Sequence, residues 1–123
     1  MNLDSNINLF LGLQAQLRIL HWQTKGIARH QALGMTYDTL DDLIDSFVEQ
    51  AMGKYGRFTL TDETSVIKLS NLKDLKPEDM ANTVVEALNQ FTQQYEETDT
   101  DLLNIRDEML GAINKLKYLL TLE

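Results

Sequence analysis

Apolar residues recur at spacings of three and four along four separate stretches of this chain, the period of a helix that buries one face. In the first stretch Leu9, Leu13, Leu17, Leu20 and Thr24 share a face, and Asp4-Ser5 ahead of them reads as a cap. Gly26 is placed to end or bend that helix. The second stretch predicts a helix from about His30 to Met52, striped by Leu33, Tyr37, Leu40, Ile44, Phe47 and Ala51 and punctuated by Gly53 and Gly56. Pro77-Glu78-Asp79 starts a third, because proline suits a first turn and acids suit the positive end of the helix dipole. Its stripe is Met80, Val84, Leu88, Phe91 and Tyr95. The fourth begins near Asp99-Thr100-Asp101 and continues through Leu102, Ile105, Met109, Ile113, Leu116 and Leu120.

Residues Lys54 to Lys76 have no helical period, which is long for a connection inside a compact domain. The short junctions on either side of it make neighbouring helices antiparallel, and the long stretch allows a crossover. The expected architecture is therefore all-α: a ferritin-like four-helix bundle made of two antiparallel helical hairpins joined by a long crossover connection. The chain has 123 residues, enough for one core, so residues 1–123 form a single domain.

Composition narrows the function classes. There is no cysteine, which excludes disulfides, thiolate metal sites and cysteine nucleophiles. Nothing resembles a signal peptide, and no stretch approaches the roughly 20 apolar residues of a membrane span. The expectation is a cytoplasmic protein with no membrane partner. Eleven basic residues against nineteen acidic ones give a net charge of −8. Such a field repels phosphate backbones and attracts cations, so no direct nucleic-acid binding is expected.

The densest polar signal lies on the second helix. At about 100° per residue, Asp41, Asp45 and Glu49 form one row beside the apolar stripe, with His30 and Gly34 near the same border. Stacked carboxylates repel, and like-charged neighbours on a helix cost a few tenths of a kcal/mol each. A bound cation relieves that cost; without one, the row is a solvated acidic face screened by salt. His21 follows the apolar row of the first helix, beside Trp22. No Glu-x-x-His motif, Gly-x-Ser-x-Gly elbow or glycine-rich phosphate loop occurs.

Leu20-His21-Trp22-Gln23-Thr24-Lys25-Gly26, then His30, then Asp45-Ser46-Phe47-Val48-Glu49, resembles the signature of the Dps family of mini-ferritins. Thr98-Asp99-Thr100-Asp101-Leu102-Leu103 and Lys115-Leu116-Lys117-Tyr118-Leu119-Leu120 are similar to that family's fourth-helix start and ending. Gly34, where the family carries an aspartate, together with Lys54-Tyr55-Gly56-Arg57, looks like small Dps-related proteins of bacteriophages. The resemblance implies an iron site, di-iron or mononuclear, at a two-fold interface. His21 and His30 would come from one subunit, Asp45 and Glu49 from the other, with Asp38 or the better-aimed Asp41 standing in for the aspartate that Gly34 replaces. Imidazole and carboxylate ligands suit iron, and the implied activity is ferroxidation with peroxide or oxygen. The implied partner is a second copy, giving at least a dimer through helices one and two and a shell if the assembly closes. The lysine-rich tail of DNA-binding members is absent. The competing expectation is a metal-free bundle, phage-encoded, that acts as a structural or protein-interaction module, its acidic row paired with basic residues of a partner.

Overall fold

A computed structural model describes residues 3–91 and 94–122. It contains α1 (Leu3–Gln23), α2 (Ile27–Tyr55), α3 (Pro77–Gln90) and α4 (Thr100–Leu119), with no strand among the described residues. α1 already begins at Leu3, so Asp4 and Ser5 lie inside its first turn and do not precede it. Gly26 does not terminate α1. It is the N-cap of α2, in extended conformation at φ −84° and ψ 135°. α2 consequently starts three residues earlier than the apolar stripe predicts, and it runs three residues further, to Tyr55. It ends at Gly56, the one described residue with positive φ (89°), whose N–H donates to the Met52 carbonyl at 2.8 Å. A side chain at that φ would be strained, so glycine sets the stop.

The contacts between ends fix the directions of the helices. Arg29 near the start of α2 meets Glu78 at the start of α3 and the Leu120 carbonyl just past α4. Lys54 near the end of α2 meets Asp99 and Asp101 at the start of α4. Thus α1 and α4 run one way, α2 and α3 the other. Residues 57–76 carry the chain from the far end of α2 back to the start of α3. The expected bundle, two antiparallel hairpins with a long crossover, is the one found.

The crossover lies along α1 and is fastened by amide side chains. Asn8 donates to the Thr64 and Val66 carbonyls at 2.8 and 2.7 Å. Gln16 donates to the Ser70 carbonyl at 2.9 Å and accepts from its N–H at 2.8 Å. Gln23 accepts from the Leu72 N–H at 2.7 Å and donates to Asn71 at 2.9 Å. These three amides recur about every two helical turns, so they form one polar strip down α1. Each satisfies backbone groups of a segment that has no ladder of its own.

The core joins all four helices. Phe10, Phe47, Phe91 and Tyr95 form an aromatic cluster with ring centroids 5.2 to 6.2 Å apart, several of them edge-on. Phe91 and Tyr95 belong to the apolar stripe of the third helix, yet both lie beyond its last helical residue, Gln90. Tyr95 reaches the core by accepting a hydrogen bond from the buried Asn6 amide at its hydroxyl.

Candidate functional site

The turn between α1 and α2 brings His21 and His30 face to face. Their rings stack with centroids 3.9 Å apart and planes 18° from parallel. His21 Nδ1–H donates to the His30 carbonyl at 2.7 Å, and His30 Nδ1–H donates to the His21 carbonyl at 2.9 Å. A carbonyl can only accept, so the proton sits on Nδ1 in both rings. The His21 carbonyl belongs to the last turn of α1, where no intrahelical donor remains, and His30 supplies one from the neighbouring helix. The pair is a reciprocal clamp across a three-residue turn. Both Nε2 atoms lack partners, and no partnerless side-chain nitrogen or oxygen is buried among the described residues, so they reach the surface.

The clamp explains Gly34. The His30 carbonyl lies one helical turn before position 34, and a ring reaching that carbonyl must cross it. A Cβ at Gly34 would sit 2.8 Å from His21 Cε1 and 3.2 Å from its Nδ1, closer than a methyl group tolerates. Position 34 is therefore closed to any side chain while His21 keeps its bond. Glycine here is a packing requirement of the turn.

The acidic candidates lie elsewhere. Along α2, at about 1.5 Å per residue, Asp41 is about 16 Å, Asp45 about 22 Å and Glu49 about 28 Å from His30. Asp41 accepts a hydrogen bond from Gln14 at 2.9 Å and lies 3.8 Å from Arg18, whose guanidinium covers the Tyr37 ring at 4.1 Å. Asp45 and Glu49 are exposed and enter no ion pair among the described residues. One chain thus unites the two histidines and separates them from all three carboxylates. Among the described residues no group of three or more histidine and acidic side chains could hold a metal ion.

Comparison with known proteins gives the family. A family model, described as a family of unknown function, DUF5856, matches residues 21–120. The chain is 32% identical over 120 residues to a 14.6 kDa protein from the mobD-ri intergenic region of Enterobacteria phage T4, described as uncharacterized. That alignment covers 98% of this chain and 88% of the relative. The chain belongs to the DUF5856 family. No solved structure matches it significantly. The resemblance to Dps mini-ferritins is thereby corrected: the family that matches is DUF5856, neither it nor the phage relative is described as a ferritin, and the bacteriophage link is what survives. The physical reason is in the turn. His21, Gly26 and His30, which carried much of the resemblance, are with Gly34 the parts of the hairpin turn and its clamp.

The DUF5856 chain also holds a lock that sequence reasoning missed, reading Lys54-Tyr55 as the start of a loop. Both residues end α2, and they converge on the buried Asp99 carboxylate. Lys54 Nζ lies 2.6 Å from it, and the Tyr55 hydroxyl donates to its two oxygens at 2.6 and 2.7 Å. The Glu96 N–H adds a bond at 3.1 Å, while Asp101 takes Lys54 from the other side at 3.0 Å. The Lys54 bond, followed by the Tyr55 bond, holds the Asp99 carboxyl down to about 2. Lys54 is raised in turn, chiefly by Asp99. Asp99 caps α4 by backbone geometry only, its side chain being committed to α2. The available signal was a Lys-Tyr pair at a helix end and an aspartate at a helix start, which only the directions of the helices bring together.

Proposed function

We propose that this protein is a phage-associated helical module that acts by binding another protein through the outward face of α1 and α2, without metal chemistry. The observation that carries this reading is the separation within the chain: His21 and His30 close the turn together, the acidic row stands two or more helical turns further along α2, and no group of three or more histidine and acidic side chains among the described residues could hold a metal ion. Exposed apolar side chains on the same two helices support the binding role. Trp22 is 66%, Ile27 70% and Met35 53% exposed, and Leu11 stands open on α1. Aromatic and large apolar groups left open to water mark contact surfaces more often than inert ones. Among the described residues no helix is long and apolar enough to cross a membrane.

Two measurements test this. Anaerobic titration with iron(II) is expected to show no saturable binding; saturable binding that vanishes in Glu49→Ala would overturn the metal-free reading. A photo-crosslinking residue replacing Leu11 is expected to capture a protein in cells that produce the chain, whereas one replacing Glu108 on α4 captures none. Equal labelling from both positions refutes the assigned face.

A further inference from the structure

Beyond a face that binds protein, the geometry points to the chemistry of what it binds. A groove of about 420 Å³ lies between α1 and α2. Its floor is core: Ile7, Phe10 and Ile44 are at most 5% exposed. Leu11, Val48 and Phe58 form its walls, and Asp42 and Asp45 stand on its rim. A second depression of about 390 Å³ continues it past Gln14 to Arg18, sharing Leu11 and Asp41. From Ile7 to Arg18 the trough follows about three turns of α1, about 16 Å, which is the length of three turns of a docked helix.

Carboxylates outnumber cations along this trough, Asp41, Asp42 and Asp45 against Arg18. Arg18 and Gln14 satisfy Asp41, but no ion pair or hydrogen bond reaches Asp42 or Asp45 among the described residues. An apolar trough edged by open carboxylates complements a helix with an apolar face flanked by lysine or arginine. A second copy of this chain is the poorer occupant, since it brings the same acidic row and another net charge of −8. We propose that the α1–α2 groove seats a basic amphipathic helix of a partner protein, its apolar side on Leu11, Val48 and Phe58 and its cations against Asp42 and Asp45. This rests on the protein-binding reading above and adds to it the class of partner.

The test uses the full chain and synthetic peptides. A fluorescein-labelled 18-residue leucine–lysine peptide with helical apolar spacing is titrated by anisotropy. It is compared with a scrambled peptide of the same composition and with a version carrying glutamate for lysine. Saturable binding of the first peptide alone is expected, weakened about tenfold in Asp42→Asn/Asp45→Asn, two exposed pairs at somewhat under 1 kcal/mol each. Glu86→Gln/Glu108→Gln removes the same charge from α3 and α4 and is expected to change nothing. Equal binding of the scrambled peptide, or equal weakening by both double variants, would reduce the attraction to net charge and overturn the proposal. Failure of the amphipathic peptide to bind overturns it as well. If crosslinking from Leu11 still captured another protein, the interaction reading would stand and only the partner class would fall. Crosslinks from Leu11 to a second copy would assign the groove to self-association, again overturning it.

Discussion

Replacing Gly34 by alanine separates a structural turn from an ordinary helical position. In a helix interior Gly→Ala stabilises by about 1 kcal/mol through backbone entropy. Here the added methyl would lie 2.8 Å from His21 Cε1, so something must shift, and the side chain it meets is the His21 ring. His21 must leave. It forfeits its hydrogen bond to the His30 carbonyl, about 1 kcal/mol, and its stacking on His30, about 1 kcal/mol more. Set against the propensity gain, Gly34→Ala is expected to destabilise by about 1 kcal/mol, which for a domain of this size lowers Tm by about 4 °C. In a His21→Ala background the obstruction is gone, and the same substitution should stabilise by about 1 kcal/mol. The sign reversal, a coupling of about 2 kcal/mol, is read from urea unfolding followed by circular dichroism in the four members of the cycle. Stabilisation by Gly34→Ala in both backgrounds would refute the clamp.

Other outcomes follow from the same contacts. The Asp99 and Glu78 carboxyls are both held at about 2, below their ordinary 3.8 and 4.5, Asp99 mainly by Lys54 and Glu78 mainly by Arg29. Their contribution to stability is therefore complete above about pH 4.5 and is lost as pH falls through about 2. Thermal melts should be flat from pH 7 to 5 and fall below that, and Asp99→Asn should flatten the acid limb; an unchanged limb would exclude Asp99 as its source. Gln16→Ala removes both bonds to Ser70 and is expected to cost about 2 kcal/mol, with faster limited proteolysis within residues 57–76 as the readout. Phe47→Ala opens the aromatic cluster and should cost about 3–5 kcal/mol, measured as a lowered urea midpoint. A loss under 1 kcal/mol would show that the cluster is not the centre of the core.

How much of this was legible in the chain depends on distance along it. Leu17, Leu40, Leu88 and Met109 are buried as the helical period predicts, since a stripe reports only on its own helix. Pro77 marks the start of α3 because its chemistry is local. The ends of α2 were legible only in part: Gly56 marks the stop, but the first and last turns lie outside the apolar stripe. Its first turn has no apolar stripe, with Ile27 70% exposed, and its last turn is held by Asp99, more than forty residues away. The strip of Asn8, Gln16 and Gln23 was not legible either, because an amide gives no sign of which backbone it will satisfy.

The candidate site shows why residue type and order can mislead even when the residues do meet. A histidine near a helix end, a glycine, and a second histidine early in the next helix would present imidazoles to a metal. The same order lets two rings close a turn by donating to each other's carbonyls. Nothing in the one-letter pattern separates these uses, because both need the rings near the junction. What the structure adds is where the rings go: each Nδ1 donates to the other residue's carbonyl across the turn, and the His21 ring occupies the space that a side chain at position 34 would need. A ligand at that position and a ring reaching the His30 carbonyl exclude each other sterically. Gly34 is thus better read as the residue that admits His21 than as a missing carboxylate. Within one chain the acidic row lies apart from the histidines, and Asp42 and Asp45, open on the rim of an apolar groove, bear on what docks there.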